Sequence, residues 1–208
     1  MTDPRKGIVA DGYDVIAQRY LAWGSSVKGD PRDAMVAELD RRLPGGTRVL
    51  DLGCGSGGTA RVLAPRHAVT GVDISRAQIE LARANVPEAT FEVGDLATVD
   101  FPPSSFDAVV ALYAISHVPR EEHATLCEGI ARWLAPGGLL LASLGASDSP
   151  DWTGNWLGVP MFFSAWDADT NRRLLREAGF ELEIDEVRTM REPEGDVAFL
   201  WVLARLTG

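Results

Sequence analysis

Short apolar runs alternate with stretches of helical periodicity along the first two thirds of the chain. Five of these runs predict β-strands, because each is short and rich in apolar residues. They cover the ranges Arg48–Leu52, Ala68–Val72, Thr90–Val93, Phe106–Ala114 and Leu139–Leu144. Strands that alternate with helices predict a doubly wound α/β fold with a parallel sheet.

Six segments before, between and after these strands have the pattern of helices. The first, Asp11–Trp23, places four large residues on one face, namely Tyr13, Ile16, Tyr20 and Trp23. The others begin near a capping residue or a proline, and they cover 30–43, 58–63, 75–85, 119–134 and 169–178. No internal repeat or low-complexity linker interrupts the series.

The C-terminal third departs from this alternation. Glu181–Val187 and Val197–Leu206 are both strand-like, and the polar segment Met190–Asp196 between them is too short to hold a crossover helix. We therefore expect these two strands to be antiparallel neighbours. The uncharged segment Trp152–Trp166, which precedes them, is rich in aromatic residues.

Composition narrows the class of protein. The 208 residues favour one domain, and 46% hydrophobic with 24% charged residues is ordinary globular usage. A net charge of −10 disfavours nucleic acid as a partner, because an acidic chain repels phosphates. Without a long apolar run, a secretory leader or a zinc-like Cys/His cluster, we expect a cytoplasmic protein that binds no membrane and no metal.

The strongest chemical signal is the segment Val49–Gly58, with the sequence VLDLGCGSGG. It follows a predicted strand and opens a predicted helix, and its glycines let the backbone approach a ligand closely. Gly53, Gly55 and Gly58 fit the GxGxxG pattern. Asp73 lies 20 residues after Gly53, where a ribose-binding acid is expected. The loop predicts a nucleotide-like ligand without saying which one.

Asp51 lies two residues before the first of these glycines. A carboxylate at the mouth of the loop repels a pyrophosphate and favours a ligand that carries an ammonium or a sulfonium group. The same side chain could instead cap the following helix or accept hydrogen bonds from loop amides. Asp51 is therefore a candidate ligand contact with a structural alternative.

Five motifs in order carry a resemblance to a known family. They are VLDLGCGSG at 49–57, GVDIS at 71–75, GDL at 94–96, FDAVV at 106–110 and LAPGG at 134–138. With these motifs the chain resembles the class I S-adenosylmethionine-dependent methyltransferases, in particular small bacterial members that act on metabolites. The resemblance implies a Rossmann-like sheet of seven strands in the order 3-2-1-4-5-7-6, with strand 7 antiparallel.

The resemblance also implies how the chain is organised. It implies one methyltransferase domain over residues 1–208, with an N-terminal cap helix within 1–30 and a lid over the acceptor within 146–166. The implied partner is a small-molecule acceptor of the kind found in secondary metabolism. A monomer and a homodimer both stay open, because an aromatic lid and an aromatic subunit contact have the same sequence pattern.

The implied cofactor is S-adenosyl-L-methionine. Its methionine part would be lined by the loop glycines Gly53, Gly55 and Gly57. Asp51 would lie near its ammonium group, and the backbone at Leu112 would lie beside the methyl donor. The first helix, with Tyr13 and Tyr20, would close over the methionine tail, although the same pattern also suits an ordinary helix packed on the sheet.

The adenosine part of the cofactor is assigned by the same resemblance. Asp73 would accept from both ribose hydroxyls, and Ile74 would pack on the adenine ring. Asp95 would accept from the adenine amino group, while the amide of Leu96 would contact the ring.

His117 is the candidate general base. It lies just past the predicted fourth strand, at the sheet edge where open α/β sheets bind ligands. An imidazole can take a proton from an acceptor at neutral pH. Alternatively, His117 packs under the cofactor loop or bonds to a backbone carbonyl.

The aromatic segment is the candidate acceptor wall. Trp152, Trp156 and Phe163 would suit an apolar or aromatic acceptor, or an amine that becomes cationic on methylation. The same residues could form core or a subunit contact. The function predicted from the sequence is transfer of a methyl group to oxygen or nitrogen of a small metabolite. The alternatives are an NAD- or FAD-dependent oxidoreductase and a cofactor-binding member of the fold without transfer activity.

Overall fold

The part of the chain described by the structure, a computed structural model, is residues 3–207. Its strands are β1 Arg48–Leu52, β2 Ala68–Asp73, β3 Thr90–Val93, β4 Phe106–Ala111, β5 Leu134–Gly145, β6 Ser149–Trp156, β7 Val159–Ala165, β8 Phe180–Glu192 and β9 Gly195–Leu206. Its helices are α1 Pro4–Gly24, α2 Arg32–Arg42, α3 Gly58–Leu63, α4 Arg76–Asn85, α5 His123–Trp133 and α6 Ala168–Glu177. Two short 3₁₀ turns, Ile115–His117 and Arg120–Glu122, precede α5.

Seven of these strands form one sheet in the order β3-β2-β1-β4-β5-β9-β8. The strands from β3 to β5 are parallel, and β9 runs antiparallel to both of its neighbours. The predicted order and the antiparallel last strand are confirmed, since β8 and β9 take the places of the sixth and seventh strands. Within residues 3–207, β6 and β7 pair only with each other.

The first helix begins earlier than predicted. It starts at Pro4 rather than Asp11, and the Asp3 side chain caps it by accepting from the Arg5 amide at 2.9 Å. A capping aspartate followed by proline is a start signal in its own right. The prediction followed apolar periodicity, which begins only at Tyr13.

Four strands, β4, β5, β8 and β9, have ends that differ by two or more residues from those predicted. β4 stops at Ala111, short of Ala114, because Tyr113 has a positive φ of 58° and turns the chain out of the sheet. The segment predicted as a polar connection, Met190–Asp196, mostly continues β8 and β9. Cross-strand pairs persist up to a tight turn, since Arg191 still faces Asp196. β5 likewise begins at Leu134, before the predicted start.

The aromatic segment folds as the hairpin β6–β7. Leu157 and Gly158 form its turn, both with positive φ, as tight hairpin turns require. The hairpin packs on α1, and a Cβ added to Gly12 of that helix would lie 2.8 Å from the Met161 methyl carbon. Glycine at this position therefore allows the close approach of helix and hairpin.

The core lies on both faces of the sheet. One cluster packs β-strand residues against α5 and α6, and another packs them against α2 and α4. Two histidines, His67 and His123, are buried near the ends of the core elements, at 6% and 3% exposed. His67 bonds to Asp40, and His123 bonds to the Val118 carbonyl oxygen, so each buried ring has a polar partner. No helix in the described part of the chain is long and apolar enough to cross a membrane.

Candidate functional site

A cavity of about 720 Å³ opens beside the glycine loop, at the carboxyl-terminal ends of β1 and β4. Open α/β sheets bind their ligands at this edge. Helix α1, the hairpin β6–β7 and the end of β8 complete its wall. Nine of the residues predicted to bind cofactor or acceptor line it: Tyr13, Tyr20, Asp51, Gly53, Gly55, Leu112, His117, Trp156 and Phe163.

The glycine loop needs its glycines for two physical reasons. Gly53, Gly55 and Gly57 have φ values of 71°, 52° and 85°, which side chains rarely tolerate. A Cβ added to Gly53 would also lie only 2.3 Å from the Cβ of Ala114. Among the residues described, Gly57 is not part of the cavity lining, and its neighbour Gly58 takes that place.

Asp51 is a buried carboxylate in the cavity wall, at the end of β1. It is 2% exposed, and its Oδ2 atom has no hydrogen-bond partner among residues 3–207. Burial and the nearby Asp73 carboxylate raise the pKa of Asp51 to about 7, while the Arg32 guanidinium opposes this rise. Asp51 does not cap the following helix, because the residue before α3 is Gly57 and no side-chain hydrogen bond caps this helix. An unpaired buried carboxylate is costly unless a cation or donor joins it.

Arg32 is a cavity residue that sequence reasoning missed. Its guanidinium carbon lies 4.7 Å above the Tyr113 ring, and the nearest oxygen of Asp30 is 3.6 Å from its Nε atom. This Nε is buried and has no hydrogen-bond partner in the part of the chain described. The sequence showed Asp30-Pro-Arg only as a helix start, and Asp30 does accept from the Arg32 amide at 2.8 Å.

Tyr113 is a second residue that the sequence did not single out. Its hydroxyl donates to Asp30 at 2.5 Å, and its amide donates to the Ser143 hydroxyl at 2.7 Å. A non-glycine residue with positive φ is strained, and such strain is concentrated at functional sites. A usable signal existed, since this tyrosine lies near the end of the apolar run 106–114, where the chain must leave the sheet.

His117 lies at the back of the cavity in contact with two elements. Its Nδ1 atom is 2.9 Å from the Phe162 carbonyl oxygen on β7, and its Nε2 atom is 2.9 Å from the Tyr13 hydroxyl on α1. Burial lowers the pKa of His117 to about 4, so the ring is neutral at pH 7. His117 therefore bonds to a backbone carbonyl, as one alternative from the sequence had it, and it also lines the cavity, while its role as a base stays a prediction.

An aromatic wall, made of Tyr20, Trp23, Trp156 and Phe163, closes one side of the cavity. Neighbouring rings of this wall have centroids 5.4 to 5.7 Å apart. Trp152, predicted with them, is 47% exposed and is not part of the lining in the described residues. It reaches the site only through its 5.8 Å contact with Phe163.

The residues predicted for adenosine lie outside the cavity lining of the described chain. Asp73 accepts from the amides of Gly55 and Ser75, each at 2.9 Å. Asp95 pairs with Lys6 of α1 at 2.9 Å. Ile74 packs with apolar residues of α1 and β7, and Leu96 is 7% exposed.

Comparison with known proteins gives a consistent assignment. A family model described as a methyltransferase domain matches residues 49–138. A 2-methyl-6-phytyl-1,4-hydroquinone methyltransferase from Synechocystis is 37% identical over 194 residues, which cover 80% of this chain and 58% of the relative. A 27-O-demethylrifamycin SV methyltransferase from Amycolatopsis mediterranei is 33% identical over 162 residues, 67% of this chain and 59% of that protein.

Solved structures agree with the fold. A methyltransferase from Methanosarcina mazei superposes with a TM-score of 0.72 at 22% identity, over 81% of this chain and 96% of that chain. The chain spans about three fifths of the length of the two curated relatives. Strand order, ordered motifs and relatives lead to the same assignment: the chain belongs to the class I S-adenosylmethionine-dependent methyltransferases, whose cofactor is S-adenosylmethionine.

Proposed function

We propose that this protein transfers a methyl group from S-adenosylmethionine to oxygen or nitrogen of a small apolar or aromatic acceptor held in the cavity. The observation that carries the proposal is the buried, unpartnered carboxylate of Asp51 beside the glycine loop. A bound ammonium group supplies the partner that this carboxylate lacks, whereas a pyrophosphate repels it.

Arg32 is a second residue that fits this cofactor, because it would bind the carboxylate of the methionine part while Asp51 binds its ammonium group. Its charge acts on Asp51, so the two side chains present opposite charges to one cavity. A methionine tail carries an ammonium and a carboxylate on the same carbon and is matched by such a pair. Its carboxylate would accept from the unpartnered Nε of Arg32.

The cofactor, when bound, supplies an electrophilic methyl group on a sulfonium sulfur. The chain's contribution is to align the acceptor with that methyl and to exclude water. Leu112, 8% exposed at the end of β4, and the positive-φ turn at Tyr113 bring the backbone to the cavity here. These residues would hold the reacting end of the cofactor in place.

The adenosine half requires helix α1 to shift. Asp73 and Asp95 each have an oxygen that already accepts one hydrogen bond, and a carboxylate oxygen accepts two. The Lys6 ammonium occupies the second oxygen of Asp95. Ribose and adenine would therefore enter as the first turn of α1 moves and the contact of Lys6 with Asp95 is exchanged for the cofactor, while Tyr13 stays beside His117.

The acceptor would lie against the aromatic wall. Flat rings at 5 to 6 Å from one another suit a flat acceptor better than an extended polar one. The Synechocystis relative is named as a methyltransferase of an aromatic hydroquinone. The aromatic wall of this cavity and the aromatic substrate of that relative both support an aromatic acceptor here.

Calorimetric titration with S-adenosylmethionine tests cofactor binding. We expect micromolar binding to the wild type, and roughly 10- to 100-fold weaker binding to Asp51→Asn, because the carboxylate forms a charged hydrogen bond. Asp11→Asn is the matched control, since Asp11 is exposed on α1 and outside the cavity lining of the described residues. Unchanged affinity in Asp51→Asn would contradict the assignment of Asp51.

NADH and an acceptor screen separate the competing functions. NADH titrated in parallel is expected not to bind; binding of NADH alone would support the oxidoreductase alternative. The screen measures formation of S-adenosylhomocysteine with small aromatic hydroxyl and amine compounds. Tight cofactor binding without turnover on any acceptor would support a member of the fold that binds the cofactor without transfer, because a fold does not determine its chemistry.

A further inference from the structure

Tyr13 and His117 form a hydrogen-bonded pair in the cavity wall. The Tyr13 hydroxyl oxygen lies 2.9 Å from His117 Nε2, with the two rings edge-on at 87°. His117 Nδ1 lies 2.9 Å from the Phe162 carbonyl oxygen. Because a carbonyl oxygen only accepts, Nδ1 carries the ring proton and Nε2 is the nitrogen with the lone pair. The Tyr13 hydroxyl therefore donates to Nε2.

This bond places a phenol between the base and the acceptor. The lone pair of Nε2 is engaged by Tyr13, and both rings line the cavity. A phenol oxygen that donates one hydrogen bond can still accept another. An acceptor hydroxyl in the cavity can thus donate to the Tyr13 oxygen and be linked to His117 without displacing either side chain.

We propose, on the basis of the function proposed above, that Tyr13 is a catalytic residue which passes the acceptor's proton to His117, and that the acceptor is a hydroxyl compound. This role differs from that of a helix residue that only closes over the methionine tail. It also gives the hydrogen bond between Tyr13 and His117 a role in the reaction.

Protons and charge balance in the proposed step. The bond between the acceptor oxygen and the methyl carbon forms while the bond between sulfur and that carbon breaks. The acceptor's proton moves to the Tyr13 oxygen, and the Tyr13 proton moves to His117 Nε2. The positive charge lost from sulfur ends on the imidazolium, which later releases its proton to solvent. The cavity holds the same net charge before and after the step.

Neither residue suffices alone. Burial raises the pKa of Tyr13 well above its usual value, so a free phenolate is unfavourable and the phenol must lose its proton as it gains another. The same burial keeps His117 neutral and able to accept. The Phe162 carbonyl holds the ring in the tautomer whose free nitrogen faces Tyr13.

A proton relay built into the cavity wall favours oxygen over nitrogen as the methylated atom. A neutral amine can gain a methyl group and leave as a stable ammonium ion, so its methylation requires no base in the site. A hydroxyl oxygen becomes strongly acidic as it gains a methyl group, so even a weak base takes its proton. The relay therefore suits alcohols and phenols.

Ring ¹⁵N spectra test the hydrogen bond without requiring turnover. In Tyr13→Phe we expect the His117 Nε2 signal to move toward that of an unbonded imine nitrogen, with Nδ1 still protonated. Tyr20→Phe is the matched control, because its ring contacts Tyr13 at 5.2 Å but makes no bond to His117 in the described chain. An unchanged Nε2 signal in Tyr13→Phe would overturn the pair.

A double-mutant cycle tests the relay. We expect Tyr13→Phe and His117→Ala each to lower kcat by roughly 100-fold, and the double variant to be no slower than the slower single one, because residues that act as a unit are not additive. KM for S-adenosylmethionine should change less than threefold. A Tyr13→Phe variant with normal kcat and a raised KM would overturn the relay and make Tyr13 a cofactor cover.

Matched acceptors test the oxygen preference and separate the two proposals. Hydroquinone and catechol are assayed against p- and o-phenylenediamine within the wider screen, and methylation is expected on hydroxyl compounds. Turnover confined to amines would overturn the hydroxyl assignment while leaving methyl transfer intact. Cofactor binding without turnover on any compound would overturn the proposed function and, with it, the relay.

Discussion

At the scale of single residues, the site depends on charges that the fold buries without complete pairing. Burial and the like charge of Asp73 both disfavour the ionised form of Asp51, and no salt bridge joins Arg32 to it in the described chain. Such an arrangement costs stability in the free protein and favours a ligand with complementary charges. The strained backbone of Tyr113 belongs to the same site.

The raised pKa of Asp51 gives a prediction for stability against pH. The folded state holds a proton up to about pH 7, whereas an unfolded aspartate loses it near 3.8, so stability falls as pH rises between these values. We expect Asp51→Asn to be more stable than the wild type at pH 8 by roughly 2–4 kcal/mol, and to lack most of this fall. Urea unfolding at pH 5, 7 and 8 measures the free energy of unfolding of both proteins. The same pH dependence in the wild type and in Asp51→Asn would contradict the prediction.

At the scale of elements, α1 and the hairpin β6–β7 form one cover over the carboxyl edge of the sheet. Val9 and Ile16 of the helix share a cluster with Val159, Met161 and Phe162 of the hairpin. The helix is also joined to loops and helix starts beside the sheet. Lys6 forms ion pairs with Asp95 and Glu122, and Asp14 accepts from the Ser75 hydroxyl. Residues of both elements line the cavity, so the packed helix and hairpin form part of its wall.

Asp14 holds α1 to the start of α4. Its Oδ1 atom accepts from the Ser75 hydroxyl at 2.6 Å and from the Ala77 amide at 3.0 Å. We expect Asp14→Ala to loosen α1 by about 1 kcal/mol, with roughly fivefold faster amide exchange in this helix and unchanged exchange in β1 and β4. Hydrogen exchange with mass spectrometry measures this, and Asp11→Ala on the same helix is the control. Equal exchange in both variants would show that the contact is unimportant.

At the scale of the whole molecule, the ligand site unites segments that are far apart in sequence. The cavity wall includes Tyr13, the glycine loop, His117, Trp156 and Glu192. A ligand that bridges them binds the folded chain but not the unfolded one, so it stabilises the fold by mass action.

This linkage predicts a thermal shift. At 100 times its dissociation constant, S-adenosylmethionine should stabilise the protein by about 2.7 kcal/mol, which raises Tm by roughly 5–10 °C for a chain of this size. Differential scanning fluorimetry measures the shift, with NADH as the comparison ligand. A shift with NADH and none with S-adenosylmethionine would contradict the proposed cofactor.

Much of the architecture follows from local patterns in the chain. Apolar runs such as Arg48–Leu52 and the breaks after them predict the strands, because a parallel strand buried on both faces has few sequence alternatives, and the family resemblance implies their order. The antiparallel last pair follows from the shortness of its connection. Ends are less well predicted: α1 and β4 differ from expectation because caps, strain and pairing partners decide where an element stops.

The sequence by itself therefore determined the family, the sheet and the glycine loop, since each depends on residues close together in the chain. Only the tertiary structure decided which side chains meet. It brought Arg32 toward Asp51 and Tyr13 onto His117, and it packed α1 against the start of α4. Such contacts join positions tens of residues apart, and no periodicity along the chain specifies them; packing of the folded elements does.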